Sequence, residues 1–337
     1  MVSEPVRPEA AARDRLTRAR QTAWRLLTST VGSCFRHRVT GLAAEAAFFA
    51  ILSLPPLVFG LAGSITYVIE KVDPNQLSYF REQVVDLAGR VLTDQSVNGV
   101  VEPTVDRVLA GGRFDVISIG FVLALWSGSR ALNVFVDTIT IMYGLGGRRG
   151  IVRTRLLAFG LYVVGLVVGV VVLPLVVAGP RLVDEFLPPR LDFLNGLYWP
   201  TVMISSIAFL TTLYHQSVPV RSSWRHDVPG AALAFAIWVL GSYLLRVTLQ
   251  IATTSIYGPL AAPIAVLLWL YLTALAVLIG AALNAAFDRE WPEASTERAR
   301  LEILSRLRLK GGWVDRSERR DALRLPRRTP RKDDKAS

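Results

Sequence analysis

Three polar residues set into an apolar run are the first chemistry this sequence offers. Arg130, Asn133 and Asp137 lie in residues 115–143, DVISIGFVLALWSGSRALNVFVDTITIMY, at positions i, i+3 and i+7. On a helix that spacing puts all three on one face. The other faces are Ile, Leu, Val, Phe and Trp. A charge among such residues in a bilayer is costly, and it is tolerated where it faces a bundle interior, a water-filled cavity or a partner. Glu45, one turn into another apolar run, is the acid best placed to pair with Arg130. Asn284, near the end of the last apolar run, adds an amide.

Depth brings these groups together. At about 1.5 Å per residue, Glu45 lies roughly 6 Å below the inner surface if its run enters from the cytoplasm. Arg130, on a run entering from outside, lies roughly 22 Å along a core of about 30 Å, again in the inner half. Asp137 and Asn284 fall close to the inner interface. Glu45, Arg130, Asn133, Asp137 and Asn284 are therefore expected to cluster at the cytoplasmic side. Two readings stay open: a polar cavity that admits an anionic or zwitterionic substrate beside Arg130, or a hydrogen-bonded pair that fixes helix register.

Catalytic chemistry is poorly provided for. His37, His215 and His226 fall in tail or loop segments without metal-ligand spacing, and Cys34 is the sole cysteine. That excludes an intrachain disulfide and a cysteine-based metal site. Zinc-protease, P-loop and nucleophile-elbow motifs are all missing. His215 and His226 flank a loop bearing Trp224, Arg221 and Arg225, which reads as an interfacial anchor. The expectation is a protein that is not an enzyme and needs no metal or cofactor.

Composition supports a membrane setting. The 337 residues are 52% hydrophobic, with a formal net charge of +11. A basic chain invites a nucleic-acid reading, but here the charge sits in the tails and in short loops. Residues 1–40 carry eight Arg, and residues 288–337 carry fifteen Lys plus Arg against ten acids. The expected partners are membrane lipids, with anionic headgroups at the basic tails, and no nucleic acid; a homo-oligomer is compatible.

Six apolar runs position the polar set: 41–69, 115–143, 156–178, 196–214, 229–252 and 261–287. The flanking loops alternate between basic and acidic or neutral, so both termini are expected in the cytoplasm. The fold class expected is an all-α integral membrane bundle of six spans. Residues 1–38 read as a basic amphipathic tail helix lying on the inner leaflet, or as a plain solvated tail carrying topology charges. The segment between the first two spans is too long for an idle connector and is expected to form a helical cap outside the membrane. Residues 293–309 suggest a short helix along the membrane, and the tail after 311 is expected to be disordered. Pro55 and Pro56 fall mid-span and are expected to kink or break the first helix. Gly165, Gly169 and Gly280 suggest close helix packing.

Three blocks resemble the YihY/BrkB family of bacterial inner-membrane proteins, once labelled ribonuclease BN. They are AAFFAILSLPPL from Ala46, LWSGSRALNVF from Leu125 and YGPLAAPIAVLLWLYLTALAVLIGAALNAAF from Tyr257; the loop VPVRSSWRHDVPGA from Val218 also fits. The resemblance covers roughly residues 30–290 and implies a six-span protein of the bacterial cytoplasmic membrane. The family often has Glu where this chain has Ala282, so a proton-coupling role for that position is not carried over unless Glu45 substitutes. The functional expectation is a transporter or lipid-translocase-like protein for an anionic or amphipathic substrate. The alternative is a non-transporting envelope scaffold that binds anionic lipid or protein partners.

Overall fold

The computed structural model describes residues 8–72, 114–186, 193–220, 223–252 and 261–309, with five isolated positions between 82 and 106. Among the described residues the chain forms eight helices: α1 (Pro8–Arg36), α2 (Val39–Val72), α3 (Phe114–Met142), α4 (Ile151–Phe186), α5 (Phe193–Ser217), α6 (Trp224–Ala252), α7 (Ala261–Glu290) and α8 (Ala294–Leu309). No strand occurs among them. Long apolar runs choose helix because it satisfies every backbone N–H and C=O within the segment, which a bilayer demands.

The helices α2, α3, α6 and α7 form the centre. α2 packs most extensively on α3, and α7 packs on both α6 and α2; α4 rests on α3, α5 on α6, and α1 on α7. The core is built from small residues, with Ala43, Ala46, Ala231, Ala234, Ala274, Ala281, Ala282 and Ala285 all buried around Ile139, Met142, Tyr214 and Leu278. Alanine surfaces let backbones approach closely, the packing mode of membrane helices. The buried Ala282 is part of this seam. Large apolar side chains point outward instead, among them Val122, Leu123, Val164, Val167, Ile204, Phe209, Leu240 and Tyr243. A bundle in water would hide them.

Two glycines set the α6–α7 distance. A Cβ on Gly230 would collide with the Gly280 carbonyl oxygen, and one on Gly280 would collide with the Gly230 carbonyl oxygen. Gly280 thus packs as its sequence suggests. Gly165 does not: a Cβ there would meet open space.

Among the described residues, three stretches are long and apolar enough to cross a membrane: Ile151–Gly169, Trp224–Thr248 and Pro263–Glu290. The pair Arg20–Arg36 and Val39–Leu54, bent by 61°, makes a fourth if it counts as one broken span. The six expected spans are thus represented in part. The expected cap lies almost wholly outside the described residues, as does the tail after 309.

Several boundaries differ from expectation. α6 starts at Trp224, before the expected run at 229, so Pro229 lies inside the helix; α5 contains Pro200. The helix runs without interruption through Pro55 and Pro56. Proline holds a helical φ, and a membrane helix tolerates the lost N–H groups where neighbours and hydroxyls take up the slack. Ser53 Oγ donates to the Ala50 carbonyl at 2.7 Å in the preceding turn.

Candidate functional site

The central face carries Glu45 and Arg130. α2 and α3 bring an Arg130 guanidinium nitrogen to 3.9 Å from Glu45 Oε1, with side chains 42% and 43% exposed respectively. The guanidinium carbon lies 5.3 Å from the centre of the Phe49 ring, within range of a cation–π contact. Ser127 Oγ donates to the Phe49 carbonyl at 2.9 Å and holds the two helices in register beside the pair. Asn133 is half-buried and Asp137 exposed on the same helix. The pair is long for a salt bridge and open on one side, so the arginine keeps accessible surface toward whatever meets this face.

Asn284 does not join that cluster. It is fully buried, and its amide spans the start of α6: Oδ1 accepts from Gly230 N at 2.7 Å and Nδ2 donates to the Asp227 carbonyl at 2.8 Å. The cause is local. Pro229 has no N–H and disturbs the hydrogen-bond ladder of the first turns of α6. The glycine crossing presses α7 against that point, and an amide offers both a donor and an acceptor to it.

Around Asp227 lies a second polar cluster that sequence reasoning did not find. Asp227 is 1% exposed; its Oδ1 accepts from Tyr143 Oη at 3.1 Å, and its Oδ2 is 3.4 Å from His215 Nδ1. Tyr214 Oη donates to the Val277 carbonyl at 2.8 Å. His215 and His226 therefore lie on helices, in the last turn of α5 and the first of α6, and not in an anchoring loop. His215 faces the buried acid, while His226 Nδ1 is 3.4 Å from Glu293. A signal existed in the sequence, since Tyr143, His215, Asp227 and Asn284 all fall at helix ends on one predicted side. Nothing local says that they converge.

Arginines close this end of the bundle by meeting free helix C-terminal carbonyls, where the macrodipole favours a cation. Arg289 donates to the Met142 carbonyl at 3.0 Å and Arg300 Nε to the Tyr143 carbonyl at 2.8 Å. The other arm of Arg300 meets Asp288 Oδ2 at 2.6 Å, and Arg148 pairs with Glu302 at 3.4 Å, so α8 is strapped across the end of α3. Arg149 donates to the carbonyls of Gln216, Ser217 and Val218 at 2.9, 3.1 and 3.3 Å. Partial burial lowers its pKa from the ordinary arginine value, yet a guanidinium stays charged at neutral pH. Arg149→Ala is expected to uncap α5 and lower stability by about 1–3 kcal/mol, read as a lower thermal midpoint in detergent.

The two clusters differ in what they can do. The Asp227 cluster is largely buried and joins four helices. The Glu45–Arg130 face is open, charged and flanked by aromatics, and can receive an anionic group. Among the described residues no group of three or more His, Cys, Asp or Glu is placed to hold a metal ion.

Comparison with known proteins agrees with the architecture. The family model described as Virulence factor BrkB matches residues 31–302. The chain is 24% identical over 263 residues to a ribonuclease-like protein, YfkH, from Bacillus subtilis, covering 75% of this chain and 91% of that one. It is 25% identical over 296 residues to a UPF0761 membrane protein from Nitrosospira multiformis, covering 82% of this chain and 65% of the relative. A UPF0761 membrane protein from Stenotrophomonas maltophilia is 40% identical over 81 residues, 22% of this chain and 18% of the relative. The chain thus spans less than two thirds of the Nitrosospira and Stenotrophomonas relatives. No solved structure matches it. With the match covering both polar clusters and all helices from α2 to α7, the chain belongs to the BrkB family, as a multi-pass helical membrane protein.

Proposed function

We propose that this protein is a transporter or lipid-translocase-like protein of the bacterial cytoplasmic membrane, with six spans, both termini in the cytoplasm and no enzymatic step. Its substrate is anionic or amphipathic. Arg130 recognises the anionic group, and Glu45 competes for the same guanidinium when substrate is absent. The observation that carries this reading is the Glu45–Arg130 pair itself, long at 3.9 Å and more than two-fifths exposed on largely apolar helices. An ion pair serving register alone would be shorter and closed off, because an exposed charge in hydrocarbon is strongly disfavoured. Phe49 supplies an aromatic wall that suits the apolar part of an amphipathic substrate.

The test is water access. In a Cys34→Ser background, single cysteines at 45, 130 and 137 are probed with a membrane-impermeant thiol reagent in inside-out vesicles. Labelling at all three is expected. Silence at all three, with loop controls labelling normally, would mean a dry pair and would favour the envelope-scaffold alternative.

A further inference from the structure

The faces of α1 are arranged opposite to those of a helix in water. Its protein side, against α7, buries Thr30 and Ser33 with Leu26 and Cys34 half-buried. Its outer side carries Trp24, Leu27, Val31 and Phe35, spaced i, i+3, i+7 and i+11 and so in one stripe. All four are exposed, Trp24 at 66% and Phe35 at 82%. A water-facing helix would turn these four inward.

The polar groups of α1 suit an apolar neighbour. Thr30 Oγ1 donates to the Leu26 carbonyl at 2.8 Å, and Thr28 Oγ1 reaches the carbonyls of Trp24 and Arg25, both at 3.0 Å. Their hydroxyls are thus satisfied within the helix and ask nothing of water. The charges are of one sign. Arg20, Arg25, Arg36 and Arg38 are exposed beside the stripe, and no acid lies between Arg20 and Arg38. Arg25 is 3.7 Å from Glu290 of α7, largely in the open.

Position completes the argument. At His37 and Arg38 the chain turns by 61° into Val39–Leu54, with Arg38 in the left-handed region at φ 51°. If that following segment stands across the bilayer, α1 is inclined closer to the membrane plane than to its normal. A helix at that tilt, apolar outside and rimmed by arginine, has the chemistry of an interfacial helix on an anionic leaflet.

We infer that the outer face of α1 is a docking surface for the bilayer: Trp24, Leu27, Val31 and Phe35 enter the acyl boundary while Arg20, Arg25, Arg36 and Arg38 bind anionic lipid headgroups. This is independent of any substrate at Arg130. The test uses the full chain in nanodiscs, in a Cys34→Ser background, with a nitroxide label placed singly at 24, 27, 31 or 35. Collision with dissolved oxygen reports lipid, and collision with a water-soluble nickel chelate reports solvent.

All four positions are expected to favour oxygen, more strongly in nanodiscs containing phosphatidylglycerol than in phosphatidylcholine alone. Replacing Arg20, Arg25 and Arg36 by Gln is expected to abolish that lipid dependence. Nickel-favoured collision at all four would overturn the proposal by placing the stripe in water. Exclusion of both reagents, with dipolar broadening that disappears on dilution with unlabelled protein, would overturn it in favour of a second copy. Equal depth in the two lipids would remove the headgroup role of the arginines.

Discussion

Arg130→Ala, reconstituted in proteoliposomes, is expected to lose substrate movement while inserting and purifying like the parent. The physical reason is the difference between the two sides of this guanidinium. Toward Glu45 it makes one long contact at 3.9 Å, and both side chains are well exposed. Exposed pairs of this kind contribute little to stability, so removing one partner should barely affect folding. Toward an anionic substrate the same group would make a charge-assisted hydrogen bond. Such a bond is worth about 1.5–3 kcal/mol, or about 10- to 150-fold in rate.

Two companion variants sharpen the result. Arg130→Lys keeps the charge but gives up the planar contact with the Phe49 ring, so partial activity is expected. Glu45→Gln removes the competitor and should tighten substrate binding. The readout is uptake or transbilayer movement of an anionic fluorescent lipid, set beside folded yield and thermal midpoint. If Arg130→Ala lost folded protein along with activity, the pair would be a register device.

The second large effect is steric. Gly230→Ala or Gly280→Ala is expected to destabilise the bundle by about 3–9 kcal/mol, or to prevent its assembly. Each added Cβ would collide with the carbonyl oxygen of the facing glycine, which is backbone and cannot swing aside. Overpacking of this kind costs about 1–3 kcal/mol. The remainder comes from Asn284, whose amide lies against Gly230. Forcing the helices apart would strand the Gly230 N–H and the Asp227 carbonyl that it now satisfies, at about 1–3 kcal/mol for each group left unpaired. Gly165→Ala serves as the control. Its Cβ would enter open space, so helix propensity makes that change neutral or stabilising by up to about 1 kcal/mol. Thermal midpoints of the three variants in one detergent decide the matter.

These residues also show where reading the sequence succeeds. The helical period places Arg130, Asn133 and Asp137 on one face of α3, because periodicity is a property of the segment alone. The depth expected from hydropathy and loop charge singles out Glu45 as the partner of Arg130, and the two side chains lie 3.9 Å apart. Helical spacing in the N-terminal stretch is a segment property too, and α1 forms over Pro8–Arg36.

Lateral neighbours are a different quantity, and the tertiary structure decides them. Asn284 is expected at the depth of the Arg130 cluster, yet the Gly230–Gly280 crossing turns its amide toward α6. His215, Tyr143 and Asp227 are remote in sequence and sit at helix ends where apolar periodicity fades; the convergence of α3, α5 and α6 makes them one buried cluster. The outward aim of Trp24 and Phe35 likewise depends on which face of α1 meets α7. Hydropathy and spacing therefore determine by themselves that this is a helical membrane protein with a polar seam. Which helices share that seam is settled by close packing of alanine and glycine surfaces, whose complementarity exists only between segments and has no signature within one.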